Sequence, residues 1–142
     1  MEQRLSLITL VVDDIATTRR FLTDGLGWTA HGPSNDEVAF FPLNGMVLGL
    51  YARPKLEEEL GHPAPAGVHG HSCSIAWNGR SQADVDEMFE KAHAAGAKVI
   101  KPPHGTHWGG YSCYLEMPGG HMLELAFNPF WTIAEDGSVR LD

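Results

Sequence analysis

The sequence predicts a mixed α+β fold of two tandem β-α-β-β-β modules, and three observations carry that prediction. Apolar runs and helical stretches come in the same order in both halves of the chain. Each half holds one stretch with helical apolar spacing among several short runs of strand character. Turn residues separate the last two runs of each half, Asn44-Gly45 in the first and Pro118-Gly119-Gly120 in the second.

The first module, about residues 5–52, opens with the apolar run Leu5 to Val12. Asp14 is a candidate N-cap for a helix whose apolar positions Ile15, Phe21, Leu22 and Leu26 leave one buried stripe. Gly25-Leu26-Gly27 ends it. Strand-like runs follow at Trp28 to His31, Glu37 to Leu43 and Met46 to Ala52. A Pro- and Gly-rich linker, about residues 53–70, surrounds a short helical stretch, Lys55 to Leu60. The second module, about residues 71–128, repeats the order with Ser72 to Trp77 and a helix opened by Ser81. Asp84, three residues on, completes a variant capping box. Val85, Met88, Phe89, Ala92 and Ala95 keep helical spacing, and Gly96 suits the position just past the end. Strands are then expected at Lys98 to Lys101, Tyr111 to Met117 and His121 to Phe127, with residues 129–142 left as a tail. Half of this chain is small for a secure core of its own, so the expectation is one domain over residues 1–142.

Composition excludes several function classes. The 142 residues are 43% hydrophobic and 20% charged, ordinary values for a soluble globular chain. No apolar run approaches the ~20 residues of a membrane-spanning helix, and the first residues do not read as a signal peptide, so the expected location is the cytoplasm. Ten Lys and Arg against eighteen Asp and Glu give a net charge of −8. Neither nucleic acid nor an anionic membrane is an expected partner for such a surface, whereas a cationic ligand is favoured. Cys73 and Cys113 both lie in apolar stretches and read as two reduced core thiols.

Laying one hairpin over the other places Gly45 on Gly120, Leu48 on Leu123, Gly49 on Glu124 and Leu50 on Leu125. The opening strands align as Leu7 on Ser74, Ile8 on Ile75 and Thr9 on Ala76. Period two along the last strand puts Met122, Glu124 and Ala126 on one face, with His121, Leu123 and Leu125 on the other. Glu124, a carboxylate among apolar neighbours, is a candidate base or proton donor. The competing reading is a partly solvated carboxylate paired with Arg or Lys.

The duplicated order resembles the vicinal oxygen chelate superfamily of glyoxalase I, extradiol dioxygenases and bleomycin-resistance proteins. The residues that carry the resemblance are Val12-Asp13-Asp14 with Phe21 and Leu26-Gly27, then Trp108-Gly109-Gly110-Tyr111, then Pro118-Gly119-Gly120-His121-Met122-Leu123-Glu124. The tail Asn128-Pro129-Phe130-Trp131, ending in Asp136-Gly137, is similar to one subgroup of glyoxalase-like proteins. Where the family commonly has Asp-Pro-Asp-Gly, Met117 and Gly119 replace both acids. The resemblance implies a U-shaped half-barrel around a cavity and a homodimer. It also implies a divalent metal (Zn, Ni, Mn or Fe) held by side chains from four strands, at positions that fall on Leu7, Gly49, Ser74 and Glu124. Only Glu124 is an ordinary ligand, since Leu7 and Gly49 have no donor and a serine hydroxyl is a poor one for zinc or iron. No cofactor is therefore expected.

Val68-His69-Gly70-His71 places two imidazoles two residues apart. His71 joins Glu124 as a metal ligand if a metal is present, or is a loop histidine. His104-Gly105-Thr106-His107-Trp108-Gly109-Gly110 is a loop whose glycines admit close approach and whose indole offers a flat wall. By the resemblance it caps the cavity, and the alternative is Trp108 as a core plug. The expected lining is Leu7, Thr9, Gly49 and Tyr51 from the first module, and Ser74, Tyr114, Met122 and Glu124 from the second, with Trp108 at the edge. That lining suits a small-molecule pocket, unless leucine and methionine simply fill the space. Two functions follow: a module that binds a small organic molecule, or a glyoxalase-like lyase, isomerase or dioxygenase with Glu124 as base or ligand.

Overall fold

A computed structural model describes residues 7–32, 34–63 and 70–141. The side chains of Leu7, Glu59, Leu60, His71, Ser72, Cys73, Arg140 and Leu141 lie outside the described set. Contacts divide the chain into two compact units, Met1–Val68 and His69–Asp142.

In the first unit, β1 (Leu7–Val12) leads into α1 (Ile15–Arg20), followed by β2 (Val38–Leu43) and β3 (Met46–Ala52). Asp14 caps α1 as expected, accepting from the Thr17 N–H at 3.0 Å and the Thr17 hydroxyl at 2.6 Å. These bonds hold its carboxyl below the usual aspartate value. The last turn of the helix widens into a π-turn, Phe21–Gly25, with the Leu26 N–H reaching back to the Phe21 carbonyl at 3.0 Å. The sheet order is β1-β3-β2, with β1 parallel to β3 and β2 antiparallel to it. Alternation puts Leu10, Val12, Ala39, Phe41, Leu48 and Leu50 in the core with Ile15, Phe21 and Leu22 of the helix segment. Each such large side chain, when fully buried, contributes about 1.5–3 kcal/mol. Thr18 is buried there too, its hydroxyl satisfied by the Asp14 carbonyl at 3.1 Å.

The run Trp28 to His31, expected as a strand, forms only a single bridge, His31 to Phe40. Pro42 accounts for this. The Phe40 carbonyl accepts from the His31 N–H at 2.8 Å and the Val38 carbonyl from the Asn35 N–H at 2.9 Å, so alternate residues of β2 aim their main-chain groups away from β3. The next in that alternation is Pro42, which has no N–H to continue the ladder. The matching position in the second unit, Glu116, has one and pairs with Lys98.

The linker helix α2 (Arg53–Leu60) is tied to the first unit by Arg53 to Asp13 at 2.6 Å and Lys55 to Glu37 at 3.2 Å. These exposed pairs add little stability.

The second unit contains β4 (Gly70–Asn78), α3 (Gln82–Ala94), β5 (Lys98–Gly105), β6 (Tyr111–Glu116) and β7 (His121–Phe127). Its four strands run in the order β4-β7-β6-β5. Ser81 caps α3 by accepting from the Asp84 N–H at 3.1 Å. The short Asp84 side chain reaches the Ser81 hydroxyl at 2.9 Å and the Arg80 N–H at 2.8 Å, and these bonds lower its pKa. Leu123 and Leu125 of β7, opposite Leu115 and Cys113 of β6, are buried on the face that α3 covers with Val85 and Ala92. Burial pushes the Cys113 thiol up to about 11, and the cysteine is free. The tail forms an element that sequence reading left as tail, a hairpin of β8 (Trp131–Ile133) and β9 (Val139–Leu141). Asp136-Gly137 makes its turn, with Asp136 accepting from the Ser138 N–H at 3.0 Å. Among the described residues, no helix is long and apolar enough to cross a membrane.

Because one hydroxyl holds the start of α3, Ser81→Ala should cost about 1 kcal/mol of stability in urea denaturation. An unchanged midpoint would show that the cap contributes nothing.

Candidate functional site

Each sheet has one face packed on its helix and one turned away from it. Since one-residue steps alternate between the faces, register decides which residues share the open side. In the second unit, Ser74, Met122, Glu116 and Lys98 stand side by side across the four strands. The next row is Ala76, Glu124, Tyr114 and Lys101, and the third is Asn78, Ala126, Ser112 and His104. In the first unit the corresponding rows are Leu7, Val47 and Pro42, then Thr9, Gly49 and Phe40, then Val11, Tyr51 and Val38. The internal alignment read from sequence therefore recurs as register. Leu7 is to Val47 as Ser74 is to Met122, and Thr9 is to Gly49 as Ala76 is to Glu124.

Glu124 is half-buried. Its Oε1 accepts a 2.9 Å hydrogen bond from the Tyr114 hydroxyl, directly opposite on β6. Burial, followed by this bond and the Glu124 charge, raises the Tyr114 phenol above its ordinary 10.0. The structure thus joins two of the sequence-predicted residues and sets Met122, half-buried, and Ser74, exposed, in the neighbouring row. The turn fixes this pairing: the Met117 N–H bonds the His121 carbonyl at 2.9 Å, and Gly119 and Gly120 take φ of 104° and 80°. Counting outward from that turn opposes Tyr114 to Glu124, so the signal was present in the sequence though the hydrogen bond was not foreseen. In the first unit, Thr9 is exposed, Tyr51 half-buried and Gly49 buried.

Trp108 stands apart from this row. Its indole lies over Gly110, where an added Cβ would collide with the ring and sit 2.7 Å from the Phe127 carbonyl oxygen. It remains 38% exposed, so it plugs no core. Gly110 shares the face of Tyr114 by strand alternation but is four residues away, about 13 Å at the rise of a strand. His71 falls in β4 near a register shift between Gly70 and Ser74, and its side chain is outside the described residues.

The donor set does not fit a divalent transition ion, which takes three or four nitrogen, oxygen or sulfur donors. The family positions supply no donor at Leu7 or Gly49, a neutral hydroxyl at Ser74 and, at Glu124, a carboxylate that already accepts from Tyr114. Among the described residues, no three His, Cys, Asp or Glu are grouped to hold a metal.

The first unit has a separate cleft of about 430 Å³ between Trp28–His31 and Phe41–Leu43. It opens where Pro42 stops the ladder, and Trp28 meets Phe41 edge-on there, with ring centroids 6.1 Å apart. Sequence reading missed it because it took Trp28 to His31 as paired strand.

Comparison with known proteins agrees with this architecture. Residues 4–125 match the family model of the Glyoxalase/Bleomycin resistance protein/Dioxygenase superfamily. Among solved structures, the chain is similar to a glyoxalase-related enzyme from Fulvimarina pelagi, at 34% identity over 97% of each chain with a TM-score of 0.88. A glyoxalase/bleomycin resistance protein/dioxygenase from Nocardioides is 25% identical over 89% of this chain and 84% of its own, with a TM-score of 0.76. Lactoylglutathione lyase from Agrobacterium tumefaciens, at 20% identity over 92% of this chain and 98% of its own, shares the fold with a TM-score of 0.71. The chain belongs to the glyoxalase/bleomycin resistance/dioxygenase superfamily.

Since the indole occupies the space a side chain at 110 would need, Gly110→Ala should displace Trp108. The expected result is a red-shifted tryptophan emission and a loss of about 1–3 kcal/mol in stability. An unaltered spectrum and melting temperature would contradict the packing of Trp108 on Gly110.

Proposed function

We propose that this protein binds a small organic molecule on the open face of its second sheet, with Glu124 as the main polar anchor and the family's metal-ligand set largely replaced. The observation that supports this most is the chemistry of the duplicated rows. The half-buried carboxylate Glu124 has a second, Glu116, in the neighbouring row, and the equivalent places in the first unit are Gly49 and Pro42. Met122 beside Glu124 offers apolar surface, and the hydroxyls of Tyr114 and Ser74 offer polar contacts, a mixture that a small-molecule site can use. Ser74 and Met122 share the face of Glu124 and complete the proposed lining there, while Thr9 and Tyr51 lie on the open face of the first unit's own sheet. We place the protein in the cytoplasm as a homodimer.

A second reading is a glyoxalase-like lyase or isomerase, or a dioxygenase. It has in its favour that the 34%-identical relative is described as a glyoxalase-related enzyme. Proton abstraction beside a carbonyl needs a base and an electrophile. Glu124 can be the base, with the Tyr114 hydroxyl bonded to it and the Ser74 and Ser112 hydroxyls one row away in the register.

Metal content separates the two. Untagged protein purified without chelator, then incubated with Zn²⁺, Ni²⁺, Mn²⁺ or Fe²⁺ and desalted, should retain far less than one ion per chain by elemental analysis. One tightly held ion per chain or per dimer would overturn the proposal and recruit a histidine such as His71. On the second reading, Glu124→Gln should abolish any turnover that is found, and full activity in that variant would remove Glu124 as the base.

A further inference from the structure

Tyr114 is the contact of Glu124 that a family ligand position does not account for. The phenol donates to Oε1 at 2.9 Å, and among the described residues Oε2 accepts no hydrogen bond. The first unit serves as an internal control. The same register there opposes Phe40 to Gly49, so this kind of sheet forms without either polar group. The pair also lies on the face turned away from α3, outside the core of Leu115, Leu123 and Leu125. Building the sheet is therefore not what requires it.

We infer that Tyr114 is a positioning residue that holds Glu124 by one oxygen and leaves the other for a ligand, and that this site selects molecules carrying a protonated amine on an apolar body. The inference rests on the small-molecule reading above. A phenol has a single O–H and uses it on Oε1, which leaves Oε2 as a pure acceptor with open lone pairs. A half-buried carboxylate is stabilised most by a charged donor, because such bonds are about twice as strong as neutral ones. A ligand carboxylate or phosphate would instead set like charge against Glu124. Lys101, opposite Tyr114 on β5, is exposed and makes no ion pair with Glu124 among the described residues, so that charge is left for a ligand. Met122, half-buried next to Glu124 along β7, supplies apolar surface, whereas Ala126 on its other side is buried. The net charge of −8 favours the approach of a cation.

Three probes test this by NMR titration: benzylamine, benzyltrimethylammonium and benzyl alcohol. The first two carry the same charge, but only benzylamine can donate through N–H. Wild-type protein should bind benzylamine about tenfold more tightly than either of the others, the size expected of one charge-assisted hydrogen bond. Glu124→Gln should erase that preference. Tyr114→Phe, which creates the side chain the first unit already carries at Phe40, should keep the fold and reduce the preference to about threefold or less. A readout without ligand is the titration of the Tyr114 phenol, which should move down towards 10.0 in Glu124→Gln as the carboxylate's contribution is lost. Equal binding of all three probes, or a preference that Tyr114→Phe leaves unchanged, overturns the inference while small-molecule binding stands. No saturable binding of any probe, with the phenol titration shifting as stated, overturns the amine selection together with binding at this face, and leaves only the phenol–carboxylate contact.

Discussion

The structure depends on one backbone constraint, the parallel pairing of the first strand of each module with its last. Parallel neighbours need a crossover between them, and here a helix and the intervening strands supply it twice. Once β1 lies on β3 as Leu7 on Val47, and β4 on β7 as Ser74 on Met122, every side chain is assigned to the helix-covered face or the open one. A slip of one residue would send Glu124 into the helix-packed core and bring Leu123 or Leu125 out of it. The apolar alternation of β3 and β7 makes such a slip costly, so the position of Glu124 follows from the packing of the core.

That constraint gives equivalent positions in the two modules different chemistry without changing the fold. Gly49 with Phe40 and Glu124 with Tyr114 occupy the same places in the same register. Residues on the open face do not pack against the helix that fixes Leu50 and Leu125, and the same register holds glycine with phenylalanine in one unit and glutamate with tyrosine in the other. Membership of the superfamily fixes the fold and leaves the chemistry to these positions. With leucine, glycine and serine at three of the four expected ligand positions, the proposed recognition rests on one carboxylate, Glu124, and the phenol bonded to it.

Much of this was legible in the sequence, for identifiable reasons. Asp14 and Ser81 marked both helix starts because a short polar side chain can satisfy an N–H there. Asn44-Gly45 and Pro118-Gly119-Gly120 marked the hairpins, and with them the alignment of Gly49 on Glu124. The missing fourth strand of the first unit was harder to see. Trp28 to His31 has strand character, and the obstacle is Pro42, a residue of the partner strand. The final hairpin escaped notice because its strands have three residues each, too few for period two to register, although Asp136-Gly137 carried a turn signal. The bond between Tyr114 and Glu124 requires counting from the turn as well as reading each strand.

The most direct test of the central claim, that the open face of the second sheet is the binding surface, is a methyl chemical-shift map with benzylamine added. The account predicts a progressive shift at the methyl of Met122, which is half-buried beside Glu124 on the open face, while Leu123 and Leu125 on the opposite face stay in place. Shifts confined to Ala30 and Leu43 would place the ligand in the cleft of the first unit and contradict it.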